Sequence, residues 1–518
     1  MPEDRSRSWR WWLRRVLLAV GLGLAALAAV VLVRTCMFTS RQLPAEPAAE
    51  LAFSRDDAVS RLAEAIRIAT VSRDVPPTSD GATPGEASPG VQSVAPIVDR
   101  DAFAALHALL ERSFPAVHRT LTRERVAEHS LLFTWPGSDA SLEPALLMGH
   151  MDVVPIDPAS QDRWIHPPFS GAIADGFVWG RGSLDDKVTV LGILEAAEAL
   201  IAAGHVPRRT VYFAFGHDEE IGGTHGAART AALLAGRGVT LALVLDEGMP
   251  ITRGVLGGLD EPVAPVGMAE KGSLTLDLVA TTAGGHSSIP PRETSIGVLA
   301  AAIDRLQDHP MPGSLDGIVR DMLAYVGPEM PLGQRMAMAN LWLFSPVVES
   351  IFAARPGTNA LLRTSMAPTV IAGGNKDNVL PPVARASINV RLMPGDTAEI
   401  VTRHVRDAIA DPRITIEIRE ASEASPVSDP DTPAFRLMQR SIRQVFPSAV
   451  VAPGLLVGGA DAKHFRALSR NIYRFAPIVL GPDDLERLHG VNERIAIDNY
   501  VEAIRFYAQV LRNLDQID

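Results

Sequence analysis

The sequence predicts an α/β protein with a mostly parallel central sheet, an inserted α+β domain and an N-terminal transmembrane helix. From Asp101 onward, apolar helical segments alternate with buried-strand segments such as "ALLMGHMDVV", "RTVYFAFG" and "LALVLDEG", and this alternation is typical of a parallel sheet. Three later segments, "GSLTLDLVAT", "ARASINVRLMPG" and "ITIEIREAS", alternate between polar and apolar residues as half-solvated strands do. The uncharged apolar run from Val16 to Val33 accounts for the transmembrane helix.

Length and composition exclude several classes of protein. The 518 residues are enough for roughly two to four domains. The formal net charge of -11 argues against a nucleic-acid partner, because a phosphate backbone binds to basic surfaces. Cys36 is the single cysteine, which excludes an internal disulfide framework and any multi-cysteine zinc site. A metal ion in this protein must therefore be held by His, Asp and Glu.

The first 50 residues have the pattern of a membrane anchor. The run from Val16 to Val33 would rise about 27 Å as a helix, close to the hydrocarbon thickness of a bilayer. Trp11 and Trp12 stand where interfacial aromatic residues occur. Five arginines precede the run and predict a cytoplasmic N-terminus: Arg5, Arg7, Arg10, Arg14 and Arg15.

We therefore predict a cytoplasmic basic segment at residues 1–15, a transmembrane anchor at 16–33 and a stalk at 34–50. The body of this single-pass membrane protein would lie outside the cytoplasm, in a periplasmic, extracellular or lumenal space. The alternative is a cleaved signal peptide, which the small residues of "ALAAVV" do not forbid.

The body divides into two interleaved units. Phe53–Ser72 has helical periodicity and is followed by "RDVPPTSDGATPGEASPG", which predicts a surface loop. The α/β pattern occupies residues 51–263, and residues 264–425 form the inserted unit, with helical segments at Ile296–Leu306 and, broken by prolines, at Leu315–Ala353. Buried-strand and helical patterns return over 426–518, so we expect the C-terminus to complete the first domain.

In the first domain, ionisable residues stand where several predicted strands end. Binding sites of parallel sheets lie at this edge, outside the carboxyl ends of the strands. His150 and Asp152 are two residues apart, so their side chains point to one face of a strand. They could be a hydrogen-bonded core pair, or a metal ligand with the carboxylate that orients its ring. Four other segments carry ionisable residues, namely Asp185 with Asp186, Asp218 with Glu219 and Glu220, Asp246 with Glu247, and His489. Taken alone, each of them has an ordinary explanation, such as an acidic helix start or a solvated turn.

Together these residues match the requirements of a two-metal site. Two zinc ions about 3.5–4 Å apart need a bridging carboxylate together with terminal histidine or carboxylate ligands. If Asp185 bridges, each ion has one histidine and one further carboxylate, and Glu219 remains free to act as a general base. The candidate ligands are His150, Asp185, Glu220, Asp246 and His489.

The order of these motifs resembles a known family. H-x-D, then G-R-G-x-x-D-D-K, E-E, D and a C-terminal H-G-x-N-E are similar to the di-zinc aminoacylase/carboxypeptidase metallopeptidases. "WIHPPFSGAIADGFVWGRGSLDDK", "GGHSSIPP", "NKDNVLPPVARASINVRLMPG" and "LHGVNERI" resemble the carboxypeptidase S, or Gly-X carboxypeptidase, branch. That branch also contains secreted N-acyl amino acid hydrolases. The resemblance extends from about Leu51 to the C-terminus.

The resemblance implies a zinc-dependent exopeptidase-like catalytic domain in two parts. Its two zinc ions per subunit would share Asp185. Glu219 matches the proton acceptor of the family, and Asp152 matches the carboxylate that orients a ligating histidine. The ligand sets implied are His150, Asp185 and Asp246 for one ion, and Asp185, Glu220 and His489 for the other.

The inserted unit corresponds, by the same resemblance, to a lid and dimerisation domain. His286 in "GGHSSIPP" matches a histidine that polarises the scissile carbonyl, often across a dimer, although it could be a loop histidine beside a turn. Asn378 and Arg391 match positions that bind the substrate carboxylate, although Arg391 could be a solvated strand residue. His464 in "GGADAKHF" receives no role.

The expected function is hydrolysis of an amide bond next to a free C-terminal carboxylate, as in a Gly-X carboxypeptidase. An N-acyl amino acid hydrolase is the alternative, because no residue specifies the acyl side. The expected partners are a small peptide or N-acyl amino acid, the membrane and a second copy in a homodimer, but no nucleic acid. A membrane-tethered binding protein without turnover is a remote alternative, since such proteins usually lack a ligand or the base.

Overall fold

The computed structural model describes residues 4–44, 46–73 and 97–517, and it includes the side chains of these residues except at positions 4–8, 10 and 97. The predicted proline-rich loop lies, apart from its first residue Arg73, outside the described residues. The helix predicted at Phe53–Ser72 is present as Arg55–Arg67, and the hydroxyl of Ser54 caps it by accepting a hydrogen bond from the amide of Asp57 at 3.3 Å.

A mixed eight-stranded sheet forms the centre of the large domain. Its strands in spatial order are Val450–Leu456, Val263–Glu270, Ile472–Leu480, Leu243–Thr252, Ala145–His150, Val211–Gly216, Ser130–Trp135 and Thr122–Val126. The strand Ala145–His150 is parallel to both of its neighbours, whereas the two strands at the Thr122–Val126 edge are antiparallel. The prediction of an α/β fold is confirmed, and parallel pairs occur in the middle of the sheet and at its Val450–Leu456 edge.

Both faces of this sheet are covered, which explains why its central strands are apolar without interruption. Leu147 packs into one core and its neighbours Leu146 and Met148 pack into another on the opposite face. The covering helices of the large domain are Arg55–Arg67, Arg100–Ser113, Pro115–Thr120, Lys187–Ala202, Ala227–Gly236, Pro433–Val445, Pro482–Leu485 and Ile497–Asn513. The short strands Ala172–Ala174, Phe177–Trp179 and Arg494–Ala496 form a separate sheet.

The inserted unit is built on a four-stranded antiparallel sheet with the order Ser365–Gly373, Val383–Leu392, Gly272–Thr281 and Ile414–Ser422. The helices Ser295–Asp308 and Ala398–Ile409 cover one face of this lid sheet. Leu274, Leu276 and Leu278 are buried at every second position, as the alternating pattern predicts. The ribbon of Gly285–His286 and Val379–Leu380 lies outside this sheet.

The structure divides the units slightly differently from the predicted boundaries at 264 and 425. Strand Val263–Glu270 belongs to the large sheet, because it pairs in parallel with Val450–Leu456, and the lid sheet begins only at Gly272. The proline-broken segment forms the helices Ile318–Val326, Leu332–Ala339, Leu341–Ala353 and Pro356–Leu362, with a short 3-10 turn at Gly327–Glu329. Its inner side packs against the core of the large domain.

The N-terminal helix runs from Asp4 to Met37. Its segment Trp11–Met37 is long and apolar enough to cross a membrane, a property that signal sequences share. The predicted stalk at 34–50 therefore begins inside this helix. After the helix, the side-chain amide of Gln42 donates to the carbonyl oxygen of Val451 at 2.9 Å and accepts from its amide at 2.8 Å. The chain is thus fixed to the body directly after the helix.

Candidate metal centre and cavity

His150 is the last residue of the strand Ala145–His150, and Asp152 follows beyond the strand end. Nδ1 of the His150 ring lies 3.0 Å from the carbonyl oxygen of Asp152 and 3.4 Å from its carboxylate oxygen Oδ1. The same carboxylate accepts hydrogen bonds from the amides of Glu219 and Glu220, both at 3.2 Å, and from the hydroxyl of Ser72 at 2.5 Å. Asp152 therefore orients both the His150 ring and the turn that carries the two glutamates.

Asp185 lies between the two candidate histidine ligands. Its Oδ1 is 2.9 Å from Nε2 of His150, and its Oδ2 is 3.1 Å from Nε2 of His489. Each oxygen of one carboxylate thus faces a different imidazole, which is the arrangement that a bridging ligand requires. Nε2 of His489 is also 3.1 Å from Oε2 of Glu220. A single ring nitrogen can donate only one proton, so two carboxylates at this distance exceed its hydrogen-bonding capacity.

Asp246 lies in the next parallel strand, beside the strand of His150. The pairing register shifts directly after it, since Asp246 is opposite Arg474 whereas Met249 is opposite Phe475. A bulge at this point turns the chain and explains why the strand continues to Thr252 instead of ending at Asp246. The Asp246 carboxylate accepts from the amides of Ala462 at 2.7 Å and Glu247 at 3.0 Å.

The residues fit a divalent-metal centre. Ligand atoms of His150, Asp185 and Glu220 lie within 4.8 Å of one another. Oε1 of Glu220 is buried and has no hydrogen-bond partner among the described residues. The donor set of imidazoles and carboxylates is one that zinc binds, and Asp246 lies near this set without belonging to the group of three.

The pKa shifts of these residues also favour a site for cations. Burial, together with Asp461 and Glu220, raises the pKa of Glu219 well above its usual value. Burial also raises the pKa of Asp246 to about 6. Hydrogen bonds to Asp185 and Glu220 raise the pKa of His489 to about 10. Carboxylates this crowded hold protons or share them with histidines, and divalent cations would compensate the same negative charge.

A cavity of about 580 Å³ opens over these residues. Asp185, Glu219, Glu220 and His489 line its floor, and Arg391 of the lid sheet lines it from the other domain. Its volume falls within the range of small-molecule sites. Much of the remaining wall is apolar and consists of Leu184, Pro250, Leu456, Ala476, Ile478, Leu480 and Leu488.

His286 and Asn378 are absent from the lining of this cavity and are exposed to solvent. They are close to each other, because His286 pairs with Val379 and the carbonyl of Asn378 accepts from the amide of Ser287 at 3.1 Å. Nδ1 of His286 accepts a hydrogen bond from the amide of Ser288 at 3.2 Å. A neutral ring in this arrangement carries its proton on Nε2, which is free to donate outward.

Sequence reasoning missed the residues that hold the ligands in place. Glu493 is fully buried and accepts hydrogen bonds from Arg181 and from the amide of Leu184 at 2.9 Å. Arg181 also donates to the carbonyl oxygen of His489 at 2.8 Å, where the backbone of His489 has a positive φ of 58°. This network joins the Asp185 loop to the His489 loop. Both residues lie inside the motifs "WGRGSLDDK" and "HGVNERI", so their position was visible in the sequence although their pairing was not.

His464, which had no predicted role, has a structural one. Its Nε2 lies 3.0 Å from the carbonyl oxygen of Gly222 and donates to it. Gly222 directly follows the Glu219–Ile221 turn. The imidazole therefore supports the loop behind the two glutamates.

Comparison with known proteins identifies the family. Residues 146–513 match the family described as Peptidase family M20/M25/M40. The chain belongs to this family. The predicted resemblance to aminoacylase/carboxypeptidase metallopeptidases is confirmed, and with it the prediction of a metallohydrolase.

Among curated relatives, the chain is 43% identical over 417 residues to "Probable carboxypeptidase S-like 2" of Dictyostelium discoideum. The aligned region covers 80% of this chain and 80% of the relative. It is 41% identical over 422 residues to the human "N-fatty-acyl-amino acid synthase/hydrolase PM20D1", covering 80% of this chain and 83% of the relative. Carboxypeptidase S of Saccharomyces cerevisiae is 32% identical over 512 residues, covering 89% and 85%.

Solved structures with the same fold include human carnosine dipeptidase 1, with a TM-score of 0.58 and 17% identity over 89% of this chain and 96% of that one. The M20 family metallo-carboxypeptidase Sso-CP2 of Sulfolobus solfataricus has a TM-score of 0.59 and 18% identity, covering 89% and 99%. At this level of identity the likeness concerns the fold alone.

Proposed function

We propose that the chain hydrolyses the amide bond of N-acyl amino acids that have a free carboxylate and an apolar acyl group. The observation that carries this proposal is the composition of one cavity: Asp185, Glu219 and His489 line it together with the cationic Arg391 and an apolar wall. An amide group, a carboxylate and a hydrocarbon chain would each have a matching surface there. Relatives named as N-fatty-acyl-amino acid hydrolases support the same choice.

Two zinc ions would be held by His150, Asp185, Glu220, Asp246 and His489, with Asp185 between them. When bound, the ions would act as Lewis acids on the amide carbonyl and on the attacking water. Asp152 and Glu493 keep the ligands in position, the first through His150 and the second through the Asp185 loop.

Glu219 is the proposed general base. Its carboxylate would take a proton from the attacking water and return it to the nitrogen of the leaving amine. Glu219 lines the cavity beside the candidate ligands, which is the position that a general base requires.

Substrate orientation is proposed to come from the lid. The guanidinium of Arg391 would bind the substrate carboxylate, as planar guanidinium groups do in a bidentate manner. His286 would donate from Nε2 to the carbonyl oxygen as negative charge develops there, and Asn378 would assist in binding the substrate. We retain the division into a two-part catalytic domain and a lid, with the lid sheet bounded by Gly272 and Ser422.

A Gly-X carboxypeptidase is the second candidate, favoured by the similarity to carboxypeptidase S. The deciding experiment compares kcat/KM for N-fatty-acyl, N-acetyl and blocked-glycyl derivatives of one amino acid. We expect the value to rise with acyl-chain length. A higher value for the blocked dipeptide than for the fatty-acyl compound would instead establish the carboxypeptidase. Methyl esters of the same substrates should react poorly, because they lack the carboxylate.

We further propose that the N-terminal helix is an uncleaved anchor with its basic end in the cytoplasm and the enzyme body on the opposite side. The contacts of the Asn340 side chain with Val31 and Thr35 support retention of the helix, since both residues belong to the helix and pack on the body. N-terminal sequencing of the mature protein and protease protection in sealed vesicles test this. A mature N-terminus beyond Met37 would contradict it.

A further inference from the structure

An exposed apolar surface lies beside the end of the N-terminal helix. It is formed by the helices Leu332–Ala339 and Leu341–Ala353, which we call the bent helix pair because the chain bends by 117° between them. The helix Leu341–Ala353 is apolar almost all round, with Glu349 as its charged residue. A surface helix normally has one polar face, and a helix apolar on all sides is buried in protein or in lipid.

The two sides of the bent helix pair have different surroundings. Val348 and Phe352 point inward and pack into the core of the large domain. The opposite side leaves large apolar side chains exposed, with Val347 at 55% and Ile351 at 62% exposure. The exposed set is Leu332, Trp342, Leu343, Val347 and Ile351. Four of these five side chains belong to the single helix Leu341–Ala353, and large apolar side chains grouped in this way mark an interaction site on a protein surface.

Direct contacts with the N-terminal helix fix the position of this surface along the axis of that helix. The side-chain amide of Asn340, at the bend, donates to the carbonyl oxygen of Val31 and to the hydroxyl of Thr35, both at 3.2 Å. Val31 stands two residues before the end of the apolar run at Val33, and two residues correspond to about 3 Å of helix. If the N-terminal helix spans a bilayer, the bend therefore lies at the edge of the hydrocarbon layer.

The join between the helix and the body is held by several contacts. Arg335 donates to the carbonyl oxygen of Phe38 at 2.8 Å, Gln439 donates to that of Arg41 at 2.9 Å, and the amide of Gln42 bonds to Val451. These contacts prevent the enzyme body from rotating freely relative to the N-terminal helix. The bent helix pair is therefore held beside the point where the N-terminal helix meets the body.

We propose that the bent helix pair is a second, monotopic membrane contact, with its exposed side immersed in the leaflet next to the enzyme body. Its helices of 8 and 13 residues are too short to span a bilayer. An exposed apolar stretch of about 10–14 residues is typical of a segment that enters a membrane without crossing it, and Trp342 is a residue type enriched at the membrane interface. The occupant of the surface is phospholipid. This inference rests on the proposal that the N-terminal helix is a retained anchor.

The test uses the full chain in phosphatidylcholine vesicles, with a nitrobenzoxadiazole fluorophore on single cysteines and a doxyl group at carbon 5 of the lipid acyl chain as quencher. The native Cys36 is exposed at the end of the N-terminal helix and reports whether that helix is inserted. Ile351→Cys reports on the bent helix pair and Ile371→Cys is its control, both in a Cys36→Ser background. The two isoleucines match in exposure, at 62% and 65%, but Ile371 lies on the lid sheet.

We expect the doxyl lipid to quench the labels at positions 36 and 351 at least twofold, and the label at 371 not at all. Quenching at 36 without quenching at 351 would overturn the membrane contact while leaving the anchor intact. No quenching at 36 would show that the anchor itself is wrong. Disulfide formation between two Ile351→Cys chains, without quenching, would assign this surface to a second copy and equally overturn the proposal. Circular dichroism and zinc content establish that each variant is folded.

Discussion

Glu219 and Glu220 are adjacent in sequence but have different surroundings in the folded chain. Oε2 of Glu220 is 3.1 Å from the ligand candidate His489, whereas Glu219 lines the cavity beside the ligands. We therefore expect Glu219→Gln to lose about 10²–10⁴-fold in kcat, the usual contribution of a general base, and to retain its zinc. Glu220→Gln should lose zinc as well as activity. Activity assays with metal analysis by atomic spectroscopy separate the two, and near-normal turnover in Glu219→Gln would contradict the mechanism.

Asp152 differs from His150 in acting through other residues. His150→Ala removes a ligand and should empty one metal position. Asp152→Asn keeps the shape of the side chain but directs amide hydrogens towards groups that now donate to it, including Ser72 and Glu219. Zinc affinity should fall about 10–100-fold, as it does when a partner of a ligating histidine is lost. Competition with a zinc chelator measures the zinc affinity of both variants. Unchanged affinity in both would show that His150 and Asp152 form only a buried hydrogen-bonded pair.

The protonation of His489 makes metal binding depend on pH. Without metal, the pKa of this ring is raised to about 10 by Asp185 and Glu220, so the ring is charged at pH 7, whereas a metal ligand must be neutral. Binding at pH 7 should therefore release this proton, and affinity should rise with pH up to that pKa. Calorimetric titration with zinc in two buffers of different ionisation enthalpy counts the protons. On binding zinc, the His489→Ala variant should release one proton fewer than the unchanged protein. Equal proton counts would contradict the assignment of this proton to His489.

At the scale of elements, the lid sheet contains a polar cluster around the buried carboxylate of Asp277, which the sequence pattern does not predict. Asp277 accepts hydrogen bonds from Ser387 at 2.8 Å, from Arg385 at 2.9 Å and from Arg419 at 2.6 Å. Burial alone would raise the pKa of Asp277, but these three donors outweigh it and lower the pKa below its usual value. The cluster joins three strands of the sheet through one carboxylate.

Removing this charge should destabilise the lid in a pH-dependent way. Because the folded pKa of Asp277 is lowered, its stabilising contribution is present above the unfolded pKa of about 3.9 and is lost as pH falls through the folded value. Asp277→Asn should cost about 1–2 kcal/mol at pH 7 and progressively less as the pH falls below about 3.9. Glu417→Gln is the control, since Glu417 pairs with the same Arg385 at 3.0 Å but is half exposed. Equal losses of thermal stability in both variants would contradict this.

The elements that were predictable are those with strong periodicity. Leu146–Met148 are covered on both faces and read as a continuous apolar run, and the lid strands alternate. The predicted boundary at 264 falls within strand Val263–Glu270, which joins the large sheet by pairing with Val450–Leu456, nearly two hundred residues later. Such long-range pairing leaves no local signal. The bulge after Asp246 is hidden for the same reason.

In the site, too, residues inside sequence motifs were predictable, whereas their contacts with distant parts of the chain were not. His150, Asp185 and Glu220 were predicted from their motifs, and the structure brings them together. The contact of Glu493 with Arg181 depends on two loops 312 residues apart, and neither residue differs locally from a solvated charge. Asn378 and His286 were predicted beside the substrate, but within one chain they lie outside the cavity.

At the scale of the whole molecule, a single chain leaves its lid histidine without a substrate to contact. His286 is exposed, and its Nε2 is available to donate, yet it does not line the cavity that contains Glu219. Either the lid closes over its own subunit, or His286 serves the site of a second copy. The strand Ser365–Gly373 forms an edge of the lid sheet and is largely exposed, so a surface for pairing with another lid is present.

We expect the second arrangement, and mixing of inactive subunits tests it. His286→Ala should lose activity but keep its zinc, because the ring is remote from the ligands, and Glu219→Gln should do the same. In a mixed dimer with His286 acting across the interface, one site receives both mutations and the other receives neither, so mixing should restore up to a quarter of wild-type activity when the two chains are equal in amount. If His286 acts within its own subunit, every site keeps one defect and mixing restores nothing. A pull-down through a tag on one variant establishes that subunits have exchanged, and exchange without recovered activity would exclude the dimeric site.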